Sequence, residues 1–161
     1  MARRRVAAQS SAIARGIAMR DAPKLKNVMT PFPYSVDADA PIEQAVEFMR
    51  EHKIRHLPVT KKGSLTSLVT DRDIKLVLGP DFAYPRDLKV RDAMVKDCYI
   101  VDLATPLSAV LRHMAQHRIG SAVVTRRGKL AGVFTSNDAC RALADCLDDL
   151  QAIGEDDEDA A

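Results

Sequence analysis

Shifted by 65 positions, the chain lies over itself: Val28–Ile74 aligns with Ala93–Ala139 without a gap. Fourteen of these 47 positions are identical, where average composition gives roughly 3. They include Met29/Met94, Tyr34/Tyr99, Val36/Val101, Pro41/Pro106, Ile54/Ile119, Thr70/Thr135 and Asp73/Asp138. Repetition on this scale constrains the fold more than any local pattern. It calls for two copies of one supersecondary unit, most simply related by a pseudo-two-fold axis.

Within each copy the patterning changes in a fixed order. Tyr34–Val36 reads as a short strand, and Pro41 opens a helix with Ile42, Ala45, Val46 and Met49 on one face. His56–Thr60 and Leu65–Val69 read as strands joined by a tight turn over Lys61–Ser64, and Asp71–Leu78 as a helix stopped by Gly79 and Pro80. The second copy repeats this with Tyr99–Val101, a helix from Pro106, strands Ser121–Thr125 and Leu130–Phe134, and a helix from Ser136 to about Leu150. The expected class is α/β in the α+β sense: two pseudo-two-fold-related β-α-β-β-α units, each a small sheet packed by two helices. The divisions read as a basic N-terminal arm over 1–26, unit 1 over 27–80, a connector over 81–89, unit 2 over 90–150, and an acidic disordered tail over 151–161. The arm, rich in Arg and poor in acids, is open to three readings: a solvated segment packing on the module, a contact for an acidic partner or nucleic acid, or a transit peptide.

The stretch that carries chemistry is the junction of strand and helix, Thr70-Asp71-Arg72-Asp73 and Thr135-Ser136-Asn137-Asp138. A strand ending where a helix begins presents unpaired N–H groups. The Thr adds a hydroxyl and the Asp a carboxylate acceptor. Two readings are open. Thr and Asp cap and steady their helix, or they hold a nucleotide by phosphate and ribose. Recurrence of the pair while the residues between them differ favours the second.

Val28-Met29-Thr30, Lys53-Ile54-Arg55-His56-Leu57-Pro58-Val59 and the two Thr-x-x-Asp turns, duplicated in order from about Asn27 to Asp145, resemble a tandem pair of CBS domains, a Bateman module. The resemblance implies binding of AMP, ADP or ATP with no catalysis and no other cofactor. It implies ribose contacts from Asp73 and Asp138 and phosphate contacts from Thr70 and Thr135. Arg55 and His56 would neutralise phosphate, although an exposed Arg and half-buried His at a strand end is the plain alternative. Their counterparts Gly120 and Ser121 carry no charge, so the two halves are chemically unequal. Thr30 would sit near adenine or phosphate. Backbone around Val36 and Val101 would read the adenine edge, with Pro58 and Val123 lining its pocket and Ser121 at the second site. The family usually has Gly three residues before the Thr; Gly132 fits, but the first copy has Ser67.

Composition sets bounds on function. Aromatic residues are 4% of the chain, with no Trp, so base-stacking platforms are scarce and nucleic acid is an unfavoured partner; the formal net charge of +2 by itself argues neither way. Cys98, Cys140 and Cys146 have no metal-binding spacing, and their odd number suits a reducing, cytoplasmic setting. No apolar run approaches a membrane span. No nucleophile triad, metal motif or P-loop is present, so an enzyme is not expected. The leading expectation is a stand-alone regulatory module that forms a homodimer and modulates a separate partner protein. Its rivals are a partner-binding scaffold with a degenerate site, and a sensor of S-adenosylmethionine or another adenosyl ligand.

Overall fold

The computed structural model describes residues 23–31, 34–79 and 87–158. The arm over 1–22, the connector over 80–86 and the end of the acidic tail, 159–161, lie outside the described residues. In chain order the elements are α1 (Leu25–Val28), β1 (Thr30–Pro31), β2 (Val36–Asp37), α2 (Ile42–Glu51), β3 (His56–Lys61), β4 (Ser64–Thr70), α3 (Asp71–Leu78), α4 (Val90–Ala93), β5 (Ile100–Asp102), α5 (Leu107–His117), β6 (Ser121–Arg126), β7 (Lys129–Thr135) and α6 (Ser136–Glu158). Each half is the β-α-β-β-α unit that the repeat demands. In each, a parallel strand and an antiparallel hairpin form a small sheet: β2-β3-β4, and β5-β6-β7.

Local chemistry places most boundaries. Both hairpins turn on two left-handed residues, Lys62-Gly63 and Arg127-Gly128, the geometry that matches strand twist. Pro41 and Pro106 stand one residue ahead of their helices, as N-caps with extended ψ, instead of inside the first turn. The leading strands start later than Tyr34 and Tyr99, at Val36 and Ile100. The two tyrosine rings instead stack on His52 and His113, each at 4.0 Å. Helix α6 continues beyond Leu150, and its backbone is helical through Gly154 to Glu158. Elongating a formed helix adds one hydrogen bond per residue fixed, so it outruns the composition change at the tail.

The cores show that chain order and spatial membership differ. Val36, Ile42, Ala45, Leu57, Val59, Val69 and Ile74 form one core, and it also takes Val90 and Ala93 from α4. Val101, Val110, Met114, Val124 and Phe134 form the other, and it takes Leu25 from α1. Each unit's entry segment therefore packs into the opposite unit. Leu25, which the sequence assigns to the arm, is 1% exposed. The ladders follow the same exchange. β1 pairs antiparallel with β7, Thr30 opposite Val133 and Pro31 opposite Gly132. In the other half the Val95 N–H donates to the Leu68 carbonyl at 2.8 Å. A third cluster of Leu68, Val123 and Val133 fills the space between the two sheets.

The exchange explains the Ser67/Gly132 difference. A Cβ on Gly132 would stand 2.6 Å from the Thr30 carbonyl oxygen and 2.7 Å from the Met29 sulfur. That approach is possible only without a side chain. At the equivalent place the buried Ser67 hydroxyl donates to the Val95 carbonyl, joining the entry segment to β4 through its side chain. Ser67 is thus a structural link between units.

Candidate functional site

Both Thr-x-x-Asp turns are reciprocal capping boxes. The Asp73 N–H donates to Thr70 Oγ1 at 3.2 Å, and the Thr70 N–H donates to Asp73 Oδ2 at 3.2 Å. Thr135 and Asp138 repeat this at 3.3 and 2.9 Å. Each threonine hydroxyl also donates to the same carboxylate oxygen of its aspartate. The cap is therefore real in both halves, and it sets which atoms remain for a ligand. A threonine's one hydroxyl proton is spent on Oδ2, so a phosphate contact through it must displace that bond. Oδ1 of Asp138 keeps only a loose contact, 3.5 Å to Arg141 Nη1. That arginine side chain is 72% exposed and the Asp138 side chain 7% exposed.

Between the halves lies a cleft of about 910 Å³. The first unit contributes Lys53, Ile54, Arg55, His56, Thr70, Asp71 and Arg72. From the second unit come Gly120, Val133, Thr135, Ser136, Asn137, Asp138 and Arg141, and Thr30, Pro31 and Tyr34 complete the wall. The site is composite: Arg55 and His56 share it with Asp138 of the other unit, a pairing that sequence order cannot reveal. Lys53, Arg55, Arg72 and Arg141 face two carboxylates, of which Asp71 is paired with Lys75 at 2.6 Å. The cleft is positive and suits an anion.

His56 titrates below its usual 6.5. Burial is the main cause, opposed by the Asp138 and Asp73 carboxylates and reinforced by the Arg55 and Arg72 charges. It therefore stands neutral at pH 7, able to donate from one ring nitrogen and accept at the other. Burial also pushes the Cys98 thiol up to about 11, so it stays protonated. Among the described residues no group of His, Cys, Asp or Glu is placed to hold a metal ion.

Of the residues singled out by sequence, Thr30, Arg55, His56, Thr70, Thr135 and Asp138 line the cleft. Asp73, Pro58, Val36, Val101 and Ser121 do not. Pro58 is buried, Val36 and Val101 are inward-facing core residues, and Val123 lies between the sheets. The Val36 and Val101 carbonyls accept from Thr60 and Thr125 hydroxyls at 3.3 and 3.1 Å. Lys53, Arg72, Asn137 and Arg141 were missed. Arg72 and Asn137 occupy variable positions within the repeated turn, and a search for identities between halves passes over them. Their signal was a difference between copies.

The sequence profile of the CBS domain matches residues 25–79 and 90–145. A zinc metalloprotease of Methanocaldococcus jannaschii is 31% identical over 121 residues, 75% of this chain. The chain spans 32% of that protease's length. A CBS domain-containing protein of Bacillus subtilis is 27% identical over 117 residues, 71% of this chain and 81% of its own. Among solved structures, a conserved protein from Pyrococcus horikoshii superposes with a TM-score of 0.64 at 30% identity, covering 74% of this chain and 90% of that one. The CBS domain pair of protein MJ0100, solved in complex with 5-methylthioadenosine and S-adenosyl-L-methionine, superposes with a TM-score of 0.68 at 21% identity, covering 77% and 98%.

Proposed function

The chain belongs to the CBS domain family, with two such domains in tandem, and from that premise we propose that it is a regulatory module binding an adenine nucleotide in the cleft between them. The observation that carries this reading is Asp138. Its carboxylate is 7% exposed, lines the cleft, and keeps Oδ1 free of close partners while Oδ2 is held by the cap. A fixed, desolvated carboxylate oxygen is suited to accept from ribose hydroxyls, and the cationic wall opposite is suited to phosphate. The role is sensing, with no bond made or broken.

Regulation requires the ligand to favour one arrangement over another. The composite cleft supplies a means: a molecule held by Arg55 and Asp138 together bridges the two units and favours whatever arrangement keeps them in register. In the same reading two chains pair through their helices. Leu76 and Val77 on α3 and Leu143 and Leu147 on α6 are exposed apolar residues suited to a second copy, and the regulated partner is a different protein. Light scattering after size exclusion tests the pairing.

The test of the ligand is a thermal-shift panel of AMP, ADP, ATP and S-adenosylmethionine. At 100 times its Kd a nucleotide stabilises the fold by about 2.7 kcal/mol, a clear upward shift. No shift with any adenine nucleotide at millimolar concentration sinks the proposal.

A further inference from the structure

The two halves are related by the 65-residue shift, so every cleft residue has a counterpart against which it can be weighed. Arg55 corresponds to Gly120, His56 to Ser121, Thr30 to Val95 and Arg141 to Leu76. The cationic members all lie with Asp138. Around Asp73 the equivalents of Arg55, His56, Arg72 and Arg141 are uncharged, while Lys53 and Pro31 have Arg118 and Lys96 as counterparts, and Asp73 itself does not line the cleft. Lys53, Arg55 and Arg72 have no acidic partner within ion-pair distance among the described residues. Three unpaired cations on one wall exceed what a single phosphate, at about −1.5 to −2, would neutralise. A sulfonium ligand would be repelled by them.

We infer that the cleft takes one nucleoside di- or triphosphate per chain, its ribose on Asp138 and its phosphates drawn across the pseudo-dyad to Arg55 and Arg72. This rests on the adenine-nucleotide reading and adds to it stoichiometry, orientation and a preference for phosphate number. Arg55 and Arg72 become the specificity-determining residues. The Asp73 half is a capping box without a ligand site, although its motif is the same.

Titration calorimetry of the full chain with ATP, ADP and AMP decides the matter. The expected result is one site per chain, with ATP and ADP at least tenfold tighter than AMP. Arg55→Ala and Arg72→Ala, both at exposed side chains, should each weaken ATP about tenfold and AMP by a smaller factor, so that the preference for ATP over AMP falls. Asp138→Asn should weaken ATP and AMP alike, and Asp73→Asn should change neither affinity nor stoichiometry. Circular dichroism of each variant confirms that it is folded. Two sites per chain, equal affinity for AMP and ATP, or dependence on Asp73 would overturn this inference and leave the adenine-nucleotide reading standing. Absence of binding by all three nucleotides would overturn both.

Discussion

Replacing Gly132 by Ala tests the exchange of entry segments between units. The added methyl would stand 2.6 Å from the Thr30 oxygen and 2.7 Å from the Met29 sulfur. Carbon–oxygen contacts between strands settle at about 3.3–3.6 Å, so β1 must withdraw by roughly 0.7 Å or more. Met29 can swing its thioether aside, because the side chain is flexible. The Thr30 carbonyl cannot move without loosening the β1–β7 ladder, whose register is Thr30 with Val133 and Pro31 with Gly132. Overpacking of this kind costs about 1–3 kcal/mol. Urea unfolding followed by circular dichroism should show a lower midpoint with an unchanged m-value. Thr30 and Pro31 line the cleft, so nucleotide affinity should fall in the same variant. Ser67→Gly is the companion: it removes the hydroxyl bond to the Val95 carbonyl, at about 0.5–1.5 kcal/mol. If Gly132→Ala unfolds within 0.5 kcal/mol of the parent, the close approach of β1 to β7 is not what holds the halves together.

Leu25→Ala should cost about 2–5 kcal/mol in the same assay, because the side chain is 1% exposed among Val101, Phe134 and their neighbours; a change below 0.5 kcal/mol would return Leu25 to the arm. Thr70→Ala removes a side-chain cap and should cost about 0.5–2 kcal/mol, and an unaltered melting temperature would refute the box. His56 binds its proton less readily folded than unfolded, so it costs no stability above about 6.5, and stability falls as the pH drops from there. His56→Gln should flatten that fall, and a parallel pH–stability curve would show that another group is responsible.

The repeat made the architecture legible, because each unit is written locally. Paired apolar stripes announce α2 and α5, Lys-Gly and Arg-Gly announce the hairpins, and Thr-x-x-Asp announces the start of a helix. The same motif was ambiguous about function for a physical reason: a capping carboxylate and a ribose-binding carboxylate occupy the same place, both aspartates cap through Oδ2, and only the position of Asp138 on the cleft wall distinguishes it from Asp73. Val36, Val101 and Pro58 sit near the expected adenine pocket in sequence, but the strand pleat turns Val36 and Val101 into the two cores, and Pro58, opposite Leu68 in the ladder, is buried off the cleft wall.

The amino-acid sequence by itself determined that there are two units, what elements each contains and which residue types could meet an anion. Tertiary structure alone decided the partners. It set Leu25 in the far unit's core, laid Thr30 along Val133, and brought Arg55 to the same cleft as Asp138 while leaving Asp73 off the wall. No periodicity encodes such choices, since they depend on close packing between segments far apart in the chain. A lone Gly facing a carbonyl, or a Ser hydroxyl replacing that contact, has meaning only once both strands are in place.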